Sequence, residues 1–273
     1  MEYVYLNNGI KIPILGFGTY FPNILDTEES VYLALKSGYR HLDTAKWYAN
    51  EKEVANAIKR SGIKREELFI TCKIESKGYN DTINDIYDTL NKLQTDYLDL
   101  ILIHWPANNI LDTYKALEFM YEKKIARSIG LSNFNEELCN HILNNCNIKP
   151  QVNQIETHIY FQEKKMHDYL NSVNICHEGW SPFAEGMLDV FNDQLIVSLS
   201  NKYKKKTSQV MLRFMIQKGI VVIPRSKNKE HIEENIDVFD FKISDEDMLK
   251  IENIDKRKQL SNWPTIMKCE TYY

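Results

Sequence analysis

Asp43, Tyr48, Lys73 and His104 are residue types that together can move a proton. Asp43 and Tyr48 lie in the stretch Gly38 to Glu51 (GYRHLDTAKWYANE), Lys73 ends the run ITCK, and His104 ends LILIH. A phenol alone, with a pKa of ~10, is a poor acid or base near neutrality. A lysine ammonium beside it stabilises the phenolate and lowers that pKa, and a carboxylate paired with the lysine holds the ammonium in place. Histidine can donate a hydrogen bond to the same substrate oxygen. Such a group delivers a proton to a carbonyl oxygen as hydride reaches its carbon, which is carbonyl reduction. Taken singly, Asp43 also reads as a capping acid, Tyr48 as a packed loop aromatic, Lys73 as a solvated strand end and His104 as a satisfied barrel histidine. Their joint placement on successive strand ends favours the chemistry.

For these residues to meet, three strands must run side by side. Neighbouring parallel strands lie ~4.8 Å apart, and sites in parallel sheets and barrels collect at the C-terminal edge. The chain supplies such strands in order. Alternation from Val4 to Ile12 around Asn8-Gly9 is a hairpin signal. ILGFGTY, HLDTA, LFITCKI, LDLILIHW, ARSIGLSNF, QVNQIETH, NICHEGW and IVVIPRS then read as eight strands. Helical patterns follow them at Asp26 to Ser37 (with Asp26 as the cap), Glu51 to Ser61, Thr82 to Leu93 and Asp112 to Lys123. Further patterns run over Glu136 to Asn145, Gln162 to Leu170, Gln194 to Lys204, Ser208 to Lys218, His231 to Val238 and Ser244 to Ile254.

Strands that alternate with helices, and lack polar alternation themselves, are parallel and buried on both faces. The expected fold is therefore α/β, a (β/α)8 TIM barrel with an N-terminal β-hairpin. A doubly wound open sheet is the alternative, but Gly16 and Gly18 lack the third glycine of its nucleotide fingerprint. No linker or repeat divides the chain, so residues 1–273 are expected to form a single domain.

Composition narrows the partners. A net charge of -4 gives no reason to expect nucleic acid, and the basic run Lys202 to Lys206 reads as a solvated helix end. The five cysteines are odd in number, scattered and without a C-x-x-C pair. Neither a disulfide framework nor a zinc site follows, no metal is expected, and reduced thiols fit a cytoplasmic protein. No basic-then-apolar leader opens the chain, and no apolar run approaches the ~20 residues that cross a bilayer.

GYRHLDTAKWYANE, ITCK, DLILIHWP, GLSNF, VNQIE, WSPFAEG and VVIPRSKNKEHIEENIDVFDF resemble the aldo-keto reductase superfamily in order and over nearly the whole chain. WSPFAEG and the short C-terminus look closest to bacterial-type members, the diketogluconate and methylglyoxal reductases. The resemblance implies a barrel that binds NADPH, with NADH as the weaker coenzyme, and reduces a small-molecule aldehyde or ketone as a monomer. It places the catalytic tetrad on Asp43, Tyr48, Lys73 and His104, with Tyr48 as the acid. Ser132, Asn133 and Gln154 match the positions that hold the nicotinamide carboxamide, and Trp180 the aromatic that stacks on its ring, where many relatives have tyrosine. Gly18, Thr19, Ser181, Pro182 and Phe183 would also touch the cofactor. Arg225, Ser226, Lys227 and Asn228 would surround the 2′-phosphate, with His231, Glu234 and Asn235 near the adenine. Tyr20, Trp47, His104 and Trp105 would line the substrate mouth, with Trp263 of the tail beside them.

The chain departs from that pattern in four places. His231 stands where the family usually has arginine. The segment IESKGY after Lys73 is short and lacks a pocket tryptophan, so the mouth is expected to be open. Gly179 replaces a common alanine, and LSNWPTIMKCETYY has no close match. A non-catalytic, cofactor-binding regulatory subunit on the same fold, or a structural recruitment of the barrel, is the alternative to an enzyme.

Overall fold

The computed structural model describes residues 1–107 and 109–260; Trp263 and Cys269 lie outside the described residues. The chain opens with a hairpin, β1 (Tyr3–Tyr5) and β2 (Lys11–Pro13), paired antiparallel with Val4 opposite Ile12. Gly9 makes the turn at a φ of 83°, in the left-handed region that glycine enters without a Cβ penalty. The turn lies across the N-terminal ends of later strands. Asn7 donates to the carbonyls of Pro150 and Asn174, and Asn8 donates to that of Arg127.

The strands and helices then alternate as β3 (Phe17–Gly18), α1 (Leu25–Lys36), β4 (His41–Ala45), α2 (Glu51–Ser61), β5 (Phe69–Ile74), α3 (Tyr79–Leu93), β6 (Leu100–Ile103) and α4 (Ile110–Glu122). They continue as β7 (Ile129–Ser132), α5 (Glu136–Leu143), β8 (Val152–Glu156), α6 (Lys164–Ser172) and β9 (Cys176–Trp180). Last come α7 (Gln194–Tyr203), α8 (Thr207–Gln217), β10 (Val221–Val222), α9 (Lys229–Ile236) and α10 (Asp245–Glu252). β3 to β10 form one parallel sheet in sequence order. It closes where Gly16 N donates to Val222 O at 2.8 Å and Gly18 N to Pro224 O at 3.0 Å. This is the expected (β/α)8 barrel.

Every residue of β4, β5, β6, β7 and β8 is buried, as strands covered by helices outside and side chains inside must be. The two strands at the closing seam are shorter than their apolar runs suggest. Pro224 has no N–H to extend β10, and β3 meets β4 only through Phe17 and Gly18. Asp26 is not the cap of α1. The helix starts before it, after Ile24, with Asn23 Oδ1 accepting from Leu25 N at 3.2 Å, and Asp26 sits in the first turn. α3 begins ahead of Thr82 because Gly78, at a φ of 83°, turns the chain into it. Lys202, Lys205 and Lys206 are ion-paired to Asp247, to Asp237 and Asp240, and to Glu234. Among the described residues no helix is long and apolar enough to cross a membrane.

Candidate active site

The strands β4, β5 and β6 bring Asp43, Tyr48, Lys73 and His104 onto one wall. Asp43 lies in β4, Lys73 in β5, and His104 directly follows β6. Tyr48 ends a single 3-10 turn, Lys46–Tyr48, that leaves β4. The turn finishes on Ala49 at a φ of 54° and is tied down by Asn50, which donates to Thr19 O at 2.7 Å and accepts from Thr44 Oγ1 at 2.8 Å. Lys73 and Asp43 form a direct ion pair with almost no exposed surface. The other carboxylate oxygen of Asp43 accepts from Gln154 Nε2 at 2.8 Å. Lys73 Nζ is 5.1 Å from the centre of the Tyr48 ring, and the His104 ring meets that ring edge-on, 5.7 Å between centroids.

These contacts fix the protonation states. Burial alone would lower the pKa of Lys73, but the Asp43 carboxylate outweighs it, so the side chain stays an ammonium. Tyr48 keeps part of its surface open to the cavity, yet its phenol is desolvated. That desolvation pushes its pKa up to about 12, with Lys73 pulling down and Asp43 opposing Lys73. A phenolate-lowering lysine therefore does not win here: Tyr48 is a phenol throughout the neutral range, the form that donates. Burial, with the Lys73 charge added, holds His104 well below the usual histidine range, so it is a neutral imidazole.

The tetrad lines a cavity of about 320 Å³. Gly18, Thr19, Ser132, Asn133, Gln154 and Trp180 line it too, as do Ser181, Pro182, Phe183 and Arg225. Asn133, at a φ of 65°, donates to His104 O at 2.9 Å and accepts from Trp180 Nε1 at 2.8 Å, which joins the ends of β6, β7 and β9. The cap of α5 is Asn135, whose Oδ1 accepts from Leu138 N, so capping is not what occupies Ser132 and Asn133. Tyr20 packs on Trp47 at 5.8 Å and on Tyr48 at 5.0 Å, and Trp105 meets Trp180 at 6.4 Å; all of these aromatics line the cavity. No residue of the short segment 74–79 does.

Six of the residues singled out in the sequence lie apart from this cavity. Ser226, Lys227 and Asn228 are on the loop after β10, and His231, Glu234 and Asn235 are on α9, beyond Arg225. Asn228 caps α9, accepting from Glu230 N at 2.8 Å, and Lys227 pairs with Asp26 at 3.2 Å. His231 is exposed in the first turn of that helix, and Asn235 is buried.

Four cavity residues were not anticipated: Glu185, Gly186, Phe191 and Ile223. Glu185 matters most, because its carboxylate accepts from Ser181 Oγ and pairs with Arg225. The segment carrying it bends through positive φ at Ser181, Ala184, Glu185 and Gly186. The acid was visible in WSPFAEG, but nothing local says that the loop folds back onto Arg225.

Comparison with known proteins agrees with this geometry. Residues 15–256 match the model of the "Aldo/keto reductase family". The chain is 42% identical to a glyoxal reductase of Bacillus subtilis (strain 168), over 96% of this chain and 95% of that one. Among solved structures it is similar to an aldo-keto reductase from a Medee basin deep-sea metagenome library, with a TM-score of 0.93 and 39% identity over 96% and 97% of the two chains. It is also similar to a Bombyx mori aldo-keto reductase in complex with NADP, with a TM-score of 0.91 and 31% identity over 99% and 98%.

Proposed function

Because the chain belongs to the aldo/keto reductase family, we propose that it reduces an aldehyde or ketone to the alcohol with NADPH, Tyr48 supplying the proton. One observation carries this: a Lys73–Asp43 ion pair, buried away from water, lies against the ring of Tyr48. A non-catalytic, cofactor-binding subunit would have no use for so costly a buried charge pair.

The residues fit the cofactor. Asn133 and Gln154 carry amides on the cavity wall, Trp180 offers an indole face, and Arg225 adds a cation to the lining. Asn133, Gln154 and Ser132 would hold the carboxamide, and Trp180 the ring. Ser181, Pro182 and Phe183, with Gly18 and Thr19, would flank the middle. The cations Arg225 and Lys227, with Ser226 and the N-terminus of α9, would meet the 2′-phosphate; His231, Glu234 and Asn235 would lie by the adenine. When bound, the nicotinamide supplies the hydride.

The chain does the rest. Tyr48 donates its proton to the carbonyl oxygen, and the Lys73 ammonium stabilises the phenolate that forms. Asp43 keeps that ammonium in place, and Gln154 keeps Asp43 in place. His104, neutral, orients the oxygen. Tyr20, Trp47 and Trp105 exclude water from the reacting carbon. A small carbonyl compound, such as the glyoxal for which the Bacillus subtilis relative is named, is the first substrate to try. The same reading takes residues 1–273 as one domain, acting as a cytoplasmic monomer without nucleic acid.

The test is NADPH consumption with a panel of small aldehydes and ketones. Wild type should turn over at least one, and Tyr48→Phe should bind NADPH normally while losing ~10²-fold or more in kcat. Normal NADPH binding with no turnover of any carbonyl would sink the enzyme reading.

A further inference from the structure

The barrel interior holds a carboxyl group that this chemistry leaves unused. Glu178 sits in the middle of β9 with no exposed surface, and among the described residues neither of its side-chain oxygens has a partner in good hydrogen-bond geometry, the Gln154 amide being the donor beside it. In register it faces Gln154 on β8 and Val221 on β10. Gln154 is the residue that donates to Asp43, so one amide side chain stands between the two acids. Glu178 Oε1 is 3.6 Å from His41 Nε2, and that nitrogen is hydrogen-bonded to Thr71 Oγ1 at 3.0 Å. The His41 ring fills the space that Gly16 leaves, since a Cβ there would meet Nδ1 at 2.5 Å. The titratable groups facing Glu178 are thus His41 and Asp43 from β4 and Lys73 from β5; β8 and β10 present Gln154 and Val221.

A carboxylate sealed from water with only a shared neutral amide beside it is costly, and the nearby Lys73 ammonium is already held by Asp43. We propose that Glu178 is a positioning residue that rests as the neutral acid, and that its ionisation slows proton donation by Tyr48 by placing a second negative charge beside the Lys73–Asp43 pair. The inference rests on Tyr48 being the proton donor. Burial pushes the Glu178 carboxyl up to about 8, Asp43 adding to the rise and Lys73 and the Gln154 amide opposing it. Burial pushes His41 the other way, to about 3, so it brings no charge to neutralise an ionised Glu178. While Glu178 is neutral, the field of the Lys73 ammonium falls undivided on the phenol oxygen. Once Glu178 loses its proton, part of that field is cancelled, and the developing phenolate is less stabilised.

The experiment measures kcat for carbonyl reduction from about pH 6 to about pH 9 in wild type, Glu178→Gln and Glu178→Asp. Infrared difference spectra of the same proteins follow the C=O stretch of a buried protonated carboxyl. Wild type should show an alkaline limb in kcat, together with a carboxyl band lost over the same pH range. Glu178→Gln should lack the band and keep severalfold more of its neutral-pH kcat at the alkaline end, whereas Glu178→Asp should retain both limb and band. An alkaline limb unchanged in Glu178→Gln overturns the proposal, and so does a wild-type protein whose band is missing at neutral pH. Should Glu178→Gln fail to fold, wild type and Glu178→Asp decide by whether band and limb titrate together. The infrared arm reads Glu178 itself, so a failure of the Tyr48 assignment, seen as normal kcat in Tyr48→Phe, is told apart from a failure here.

Discussion

Trp180 donates its indole N–H to the side-chain oxygen of Asn133 at 2.8 Å, tying the end of β9 to the end of β7. A hydrogen bond of this kind contributes about 1 kcal/mol. Trp180→Phe keeps an aromatic face but leaves Asn133 Oδ1 without its donor. The expected result is a roughly fivefold higher KM for NADPH with a smaller change in kcat. An unchanged KM would show that Asn133 needs no help in holding its orientation.

Removing the ammonium should be more severe. In Lys73→Met, Asp43 stays buried with only Gln154 to satisfy it, and Tyr48 loses the cation beside its ring. Breaking a buried pair in this way costs about 3–5 kcal/mol. Denaturant unfolding should show that loss, and kcat should fall by more than stability alone explains, because the folded fraction of the variant should itself be nearly inactive. A folded variant with full activity would make Lys73 a structural residue.

Coenzyme choice is expected to turn on His231. An imidazole lacks the planar fork with which arginine grips phosphate and covers adenine. NADPH should remain preferred through Arg225 and Lys227, and His231→Arg should widen the preference by a few-fold, through a lower KM for NADPH. Comparing kcat/KM for both coenzymes in the two proteins tests this. Equal use of NADH and NADPH by wild type would remove the loop after β10 from phosphate binding.

Much of this was legible from residue order. Tetrad residues sit at the ends of apolar runs because parallel strands point their C-terminal ends at one face, and that geometry follows from alternation with helices. Asp26 misled because an acid in a first turn and an acid at a cap look alike until the backbone is known. Lys73 does pull the pKa of Tyr48 down, as its spacing implies, but spacing does not convey the desolvation that outweighs it. Glu185 needed the fold, since its partner Arg225 is far along the chain. Glu178 had a local signal: an acid in the middle of a strand buried on both sides, in the run least like a strand.

Stability should fall as pH rises through the range where Glu163 ionises. Burial, with Glu156 and Asp255 adding, pushes its carboxyl from 4.5 up to about 7. The folded protein thus holds this proton more tightly than the unfolded chain. The contribution to stability is complete below about pH 4.5 and is lost as pH climbs to about 7. Glu163→Gln should flatten that part of the stability curve in denaturant titrations. An identical slope in the variant would show that Glu163 ionises alike in both states.

The hairpin turn has a consequence for traffic. With Asn7 and Asn8 fastened to the chain at Pro150, Asn174 and Arg127, the hairpin acts as a floor across the strand ends opposite the tetrad. On the proposed function, coenzyme and carbonyl compound would then share the approach from the other side, where the cavity wall carries Asn133 and Gln154.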